Sequence, residues 1–413
     1  MDRMYQTADK LESPLVLFTE GGGGRAGGGS RAGRPGTGGS RPITGGGGLK
    51  TSSWSLLGKL SGRVPLIGIN AGFCFAGNAA LLGCCDVIIA TANSSIGMGG
   101  PAMIEGGGLG VYRPEEVGPM SVQVPNGVVD IAVADEAEAV DAAKRYLSYF
   151  QGRVKSWQCA DQNLLRHAIP ENRLRVYDIR KLIETMADTD SVLELRAGFG
   201  HAMIIALARI EGRPIGIVGN NPAHLSGAID SDAADKAARF IKLCDAFNIP
   251  ILFLCDTPGI MVGPEVEKTG VVRHSARMFL VGASVTVPTF CVILRKAYGL
   301  GAQAMGGGNH NSPAMLVAWP TSEFGGMGLE GQVKLGQISV LEAIDDPAER
   351  QAMYERMVEA AYNRGKGLNA AHVFEVDDVI DPADTRRWLS AGLSAVSPAK
   401  MQVKDKRLCI DAW

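Results

Sequence analysis

The sequence predicts an α/β protein made of two tandem copies of one strand–turn–helix unit, and three observations carry that prediction. The run Pro65-Leu66-Ile67-Gly68-Ile69-Asn70 leads into a glycine-rich turn, Ala71-Gly72-Phe73-Cys74-Phe75-Ala76-Gly77. A second apolar stretch follows, and Ile96-Gly97-Met98-Gly99-Gly100 closes the series. Far downstream, Pro288-Thr289-Phe290-Cys291-Val292-Ile293-Leu294 leads into Arg295-Lys296-Ala297-Tyr298-Gly299-Leu300-Gly301-Ala302. Another apolar stretch spans Met315 to Trp319, and Gly325-Gly326-Met327-Gly328 closes this copy in the same order. Ahead of each copy stands a matching strand and turn: Pro14 to Gly22 in the first, Pro250 to Gly259 in the second. Self-similarity of this kind marks a repeated architecture.

Taken in order, residues 1–13 read as the end of a helix and its exit. The apolar runs are short, β-branched and bounded by Pro or Gly, as buried parallel strands are. Residues 21–48 stand apart: 15 of 28 are Gly, with Arg25, Arg31, Arg34 and Arg41 among them. That composition cannot build a packed core and predicts a mobile loop. Residues 49–150 complete the first unit, with a strand at Val128 to Ala132 and a helix from Glu136 to Phe150. Asp135 and Glu136 suit the start of that helix. Residues 151–190 are polar and mixed, and Gln151-Gly152 reads as the opening of a linker. Residues 191–413 form the second unit, in which Asp230 starts a helix that leads into the 250–255 strand. A charged helix at 346–366 and a strand at Val376 to Pro382 precede the last helix. The domains are therefore expected at 1–160 and 161–413.

Bulk properties narrow the function. Net charge is −2 and no basic cluster of the kind nucleic-acid binding needs is visible. No apolar run has transmembrane length, and the N-terminus lacks the plan of a signal peptide. Eight cysteines are scattered, mostly in apolar strand contexts, with no CxxC pair or Cys/His cluster of zinc spacing. No metal site is predicted, and the location expected is the cytoplasm or an organelle matrix. In both units the turn glycines let backbone approach a ligand, and N–H groups at such a turn can bind an anion or a developing oxyanion. A plain strand–helix turn is the alternative for either copy alone.

An ordered series of motifs carries a resemblance. Asp256-Thr257-Pro258-Gly259, Gly270-Val271-Val272-Arg273-His274, Arg295-Lys296-Ala297-Tyr298-Gly299 and Ala318-Trp319-Pro320-Thr321 resemble the carboxyltransferase component of biotin-dependent acyl-CoA carboxylases. Ala237-Ala238-Arg239-Phe240, Cys244 to Pro250 and Asp377 to Pro382 match the same family, which belongs to the crotonase-like superfamily. The resemblance runs from about residue 10 to the C-terminus. It implies two tandem crotonase-like (ββα-superhelix) domains, an acyl-CoA side followed by a biotin side. Family members carry further residues ahead of the position of Met1, so the first domain is expected to be shortened at its N-terminus.

The resemblance also implies the chemistry. A carboxyl group moves from carboxybiotin to the α-carbon of an acyl-CoA, and two carbonyl-derived oxyanions need stabilising. Backbone donors serve that purpose, and removing one donor from known oxyanion holes costs about 3–4 kcal/mol. By motif, the acyl-CoA oxyanion site falls on the backbone of Ala76 and Gly77, where the family's usual Gly-Gly is altered. The biotin site falls near Gly299 to Ala302. An ungapped reading picks Leu300 and Gly301, whereas a motif reading picks Gly301 and Ala302. Gly97, Gly99 and Gly100 would line the CoA thioester pocket. Lys296, Tyr298 and Gly299 would flank the cofactor, although Lys296 could equally face solvent at a strand end. Asp256 either ends a strand near a ligand or caps the next turn, and His274 is expected to hold a structural hydrogen bond. Gln303 lies where a side chain could shape the acyl pocket.

The partners implied are a biotin carboxylase, a biotinyl carrier protein or domain, and further copies of the chain, from a dimer to a hexamer. Two alternatives stand beside this reading. One is the carboxyltransferase of a biotin-dependent decarboxylase. The other is a non-catalytic assembly subunit that depends on a partner.

Overall fold

The computed structural model describes residues 1–22, 51–395 and 409–413. Beyond Gly22, the glycine-rich loop predicted at 21–48 lies outside the described residues. The chain divides into two compact units: one of Met1–Ser148 joined by residues 409–412, and one that begins at Tyr149 and includes Trp413.

The first unit holds a parallel sheet in the order β1-β2-β4-β6, made of Leu15–Phe18 (β1), Leu66–Asn70 (β2), Val87–Thr91 (β4) and Ile131–Val133 (β6). Phe73–Phe75 (β3) and Ser95–Gly97 (β5) pair with each other beside it. Every residue of β2 and β4 is buried, which is why these strands read as continuous apolar runs rather than alternating ones. Tyr5, Leu15, Leu57, Leu60, Leu66 and Leu81 pack one side of this sheet.

The second unit carries an eight-stranded sheet. Its strands are Leu193–Leu195 (β7), Met203–Ile210 (β8), Arg213–Asn220 (β9), Ile251–Thr257 (β10), Thr289–Tyr298 (β11), Met315–Ala318 (β12), Glu323–Gly325 (β13) and Asp378–Val379 (β14). The order is β14-β12-β11-β10-β9-β8-β7, and β13 pairs with β11. The parallel block β10-β11-β12-β14 repeats β1-β2-β4-β6. Individual bonds repeat as well. Leu15 N–H donates to the Pro65 carbonyl as Ile251 N–H donates to that of Pro288. Asp130 accepts the N–H of Ile88 as Asp377 accepts that of Leu316, at 2.7 Å in both cases. The duplication predicted from sequence is therefore present in strand order and in the groups that begin the strands. The second unit adds the antiparallel β7-β8-β9, whose β8–β9 hairpin turns at Glu211 (φ 51°) and Gly212 (φ 78°), the left-handed pair that a two-residue turn requires.

Two expectations are corrected. Residues 151–190 are not a linker: Leu165, Tyr177, Ile179, Leu182, Ile183 and Met186 are buried in the core of the second unit. The helix Ile179–Met186 hides its apolar face in that core and turns charge outward, so its composition reads as polar. The strand that begins at Pro288 also does not stop at Leu294. It runs to Tyr298 because its far half has its own partner, with Lys296, Ala297 and Tyr298 opposite Glu323, Phe324 and Gly325. Among the described residues, no helix is long and apolar enough to cross a membrane.

Candidate functional site

In the second unit, β11 ends at Tyr298 and the short helix Gly299–Ala304 begins at once, with Tyr298 as N-cap. Gly299 has φ 55°, and a Cβ there would stand 2.7 Å from the Gly326 carbonyl oxygen, so only glycine fits this turn. Leu300 and Gly301 are the second and third helical residues, whose N–H groups have no acceptor inside the helix. Ala302 is the fourth, placed to donate one turn back to Tyr298. Gly301 lies against the turn that follows β10: a Cβ added to it would be 2.7 Å from both Cα and the carbonyl carbon of Gly259. Of the two pairs the sequence left open, Leu300 with Gly301 and Gly301 with Ala302, the first is the one in which both N–H groups lack a helical acceptor.

The first unit repeats this layout with differences. Ala76 is the N-cap of the Gly77–Gly83 helix and has φ 54°, which is uncommon for a residue with a side chain. Its N–H donates to the Gly97 carbonyl at 3.1 Å. The Ala76 N–H, expected as an oxyanion donor, is thus engaged in a backbone bond, and the N–H groups of Gly77, Asn78 and Ala79 have no helical acceptor. Gly100 packs against Phe75 and near the Gly22 carbonyl, so Gly97 and Gly100 both border this turn. Gly99 precedes the Pro101–Gly106 helix, whose N-cap is Gly100.

Beneath the second-unit turn sits a fully buried carboxylate. Asp256 pairs with Arg295 at 3.0 Å and with Lys296 at 2.9 Å, and accepts the Tyr177 hydroxyl at 2.9 Å. It also accepts the backbone N–H of Lys296, while its own N–H donates to Asn220. Arg295 reaches on to the carbonyls of Arg173 and Arg175. Two residues expected beside the cofactor have partners within the protein. The Lys296 ammonium pairs with Asp256. The Tyr298 hydroxyl donates to Glu323 at 2.8 Å. Asp256 thus neutralises the buried Arg295 and the partly buried Lys296. His274 bonds Asp235 through Nδ1 at 2.5 Å, the structural role expected of it.

A cavity of about 770 Å³ opens beside the turn, bordered by Gly299, Ala302, Gln303, His310, Phe324 and Lys366 among others. His310 was not singled out by sequence, because its meaning depends on a fold that returns residue 310 to the turn. Its Nε2 is buried without a hydrogen-bond partner among the described residues. Its ring meets Phe324 edge-on, with centroids 6.5 Å apart. Burial lowers the His310 pKa below the ordinary 6.5, against the opposing pull of the Ala302 carbonyl and of Glu375. The unfolded chain therefore takes up this proton more readily, and stability is lost as pH falls through the ordinary histidine value. Between about pH 7 and about pH 5, the melting temperature of the wild type is expected to fall more than that of His310→Asn. Equal slopes would show that His310 contributes nothing to the acid sensitivity.

Residues 56–408 match the carboxyl transferase domain. This chain belongs to the carboxyl transferase family. Among similar proteins, the methylmalonyl-CoA carboxyltransferase 12S subunit of Propionibacterium freudenreichii subsp. shermanii is 36% identical over 344 residues, 81% of this chain and 65% of that one. The biotin-dependent acetyl-/propionyl-coenzyme A carboxylase beta6 subunit of Mycobacterium tuberculosis is 31% identical over 402 residues, 96% of this chain and 81% of that one. Of solved structures, a single-chain, multi-domain long-chain acyl-CoA carboxylase superposes with a TM-score of 0.85 at 53% identity, over 94% of this chain and 37% of that one. Transcarboxylase 12S with methylmalonyl-coenzyme A bound superposes with a TM-score of 0.82 at 30% identity, over 99% of this chain and 78% of that one. The mixed α/β fold of this carboxyl transferase is the two-domain crotonase-like architecture of these structures.

Proposed function

We propose that the chain is the carboxyltransferase component of a biotin-dependent acyl-CoA carboxylase. The observation that carries the reading is the repeated turn: two glycine-rich helix starts, each with backbone N–H groups lacking a helical acceptor, on two copies of one parallel sheet. Carboxybiotin, brought by a carrier protein that a biotin carboxylase loads, would supply the carboxyl group. The second-unit turn suits a ureido carbonyl. Its two candidate donors, Leu300 and Gly301, are adjacent, and the cavity bordered by Gly299 and Ala302 lies beside the turn. The first-unit turn suits the thioester carbonyl of an acyl-CoA, with Gly77 and Asn78 as donors.

In this reading, the acyl-CoA α-proton would pass to the ureido group as the biotin N–carboxyl bond breaks and CO2 leaves, the thioester oxygen would carry the enolate charge until the α-carbon bonds that CO2, and preorganised N–H groups would stabilise the charge without reorganisation. No His/Asp dyad enters the chemistry. Gly97 and Gly100 shape the wall of the thioester pocket, and Gly299 keeps the biotin-side turn tight. The identity of 53% to a long-chain acyl-CoA carboxylase, against 36% and 31% to relatives named for methylmalonyl-, acetyl- and propionyl-CoA, favours a long-chain acyl-CoA. A cytoplasmic homo-oligomer is part of the proposal, and a monomeric mass by light scattering at micromolar concentration would contradict it.

The test is carboxyl transfer from a 2-carboxyacyl-CoA to free biotin by the purified chain, using malonyl-CoA, methylmalonyl-CoA and a carboxylated long-chain acyl-CoA. Transfer by the wild type, lost in Gly301→Pro, supports the reading. Absence of transfer from a folded wild-type chain with all three donors would overturn it in favour of a non-catalytic subunit.

A further inference from the structure

We infer that the left-handed turn Leu225-Ser226-Gly227 is a positioning element of the biotin-side turn, an inference that rests on the function proposed above. Three consecutive residues here have positive φ: Leu225 at 48°, Ser226 at 54° and Gly227 at 85°. For Leu and Ser this conformation is costly, and such strain persists only where the surroundings impose it. The side chains of Leu225 and Ser226 are exposed, so packing of those side chains does not impose it.

What imposes it is backbone contact. Gly227 is buried against the carbonyl oxygen of Asp256, where any Cβ would collide, and it lies beside Asn220. Asn220 in turn accepts the N–H of Asp256 at 3.1 Å. The turn closes on itself through Gly227 N–H to the His224 carbonyl and Ala228 N–H to that of Leu225. Directly after it, Ile229 N–H donates to the Gly259 carbonyl at 3.0 Å, and the Ile229 carbonyl accepts Met261 N–H at 2.9 Å. Gly259, with φ 129°, is the residue against which Gly301 packs. The segment thus grips the β10 exit at Asp256, Gly259 and Met261. That exit sets where Gly301 and its N–H can stand. On its other side Asp256 holds Lys296 through both ammonium and backbone N–H, so the two strands that meet at the turn are fixed through one residue.

Position 226 isolates the backbone effect, because its side chain reaches solvent. Ser226→Gly keeps the left-handed conformation at no steric cost, whereas Ser226→Val disfavours it strongly. With the full chain, Ser226→Val is expected to lower kcat for transfer to biotin at least tenfold with KM for the carboxylated acyl-CoA unchanged. Ser226→Gly is expected to stay within twofold of wild type. Gly227→Ala, which meets the Asp256 carbonyl directly, is expected to lose about a hundredfold, the scale of a misplaced oxyanion donor. Amide exchange of the peptide covering 257–261 is expected to quicken in Ser226→Val and Gly227→Ala and not in Ser226→Gly.

A Ser226→Val enzyme with wild-type kcat and unchanged exchange at 257–261 overturns the inference while leaving the proposed function intact. So does a loss shared equally by kcat and acyl-CoA binding, or one that disappears once the unfolded fraction is subtracted. No transfer by the folded wild type overturns the functional reading and this inference with it. Should Gly227→Ala fail to fold, the Ser226 pair decides alone.

Discussion

Gly301→Ala is expected to lower carboxyl transfer on the biotin side by about 10²- to 10³-fold, the range seen when one oxyanion donor is removed. The added methyl would stand 2.7 Å from Cα and the carbonyl carbon of Gly259 and 3.1 Å from its oxygen. All three are backbone atoms, and Gly259 is itself bonded to Ile229. The helix start must therefore move, and a displacement of a few tenths of an ångström carries the Gly301 N–H off its line. Leu300→Ala is the control, because the Leu300 side chain is 60% exposed and its backbone is unchanged by the substitution. It is expected to keep wild-type kcat. Gly77→Ala, at the helix start of the first unit, is expected to be mild. A Cβ there meets only the Trp54 ring, at 3.7 Å, an ordinary contact. The measurement is kcat/KM for 2-carboxyacyl-CoA with free biotin. Equal activity of Gly301→Ala and wild type would remove this turn from the chemistry.

The contrast between Gly301 and Gly77 marks what was legible in the sequence. The repeated order of strand, turn and apolar run was readable because buried parallel strands are continuous apolar segments and their turns need glycine. Both properties are local. The core role of Tyr177, Leu182 and Met186 was hidden, because a helix with one apolar face looks mixed in composition until its partner surface is known. The turns were readable as places in the chain, whereas the bonding of their residues was not. Backbone donors carry no residue signature, so sequence offered two registers at Leu300 to Ala302 and could not see that Gly97 occupies the Ala76 N–H. Lys296 read equally as a ligand contact or a solvent-facing residue, because a lysine at a strand end usually reaches water. Its true partner, Asp256, lies forty residues earlier on the neighbouring strand. Such pairings are set by strand register and are invisible before the sheet is assembled.

Asp256→Ala is expected to lower stability by about 3–5 kcal/mol, the cost of leaving buried charge unpaired. Asp256 is fully buried, and the Arg295 and Lys296 side chains beside it are 5% and 16% exposed. Without the carboxylate, two cations face each other beneath the sheet. The Tyr177 hydroxyl, whose pKa burial and Asp256 push well above the ordinary value, also loses its acceptor. Asp256→Asn keeps the shape and one acceptor but not the charge, so it is expected to fall between Asp256→Ala and wild type. Lys296→Gln should be the mildest of the three: the more exposed cation leaves, and Arg295 still neutralises Asp256. Urea denaturation of the four proteins tests this order. The same series separates the two roles available to Lys296. If the lysine is structural, Lys296→Gln loses stability while KM for biotin stays unchanged. A variant of wild-type stability with KM for biotin raised tenfold would show that the ammonium leaves Asp256 to meet the substrate, and would return Lys296 to the binding site.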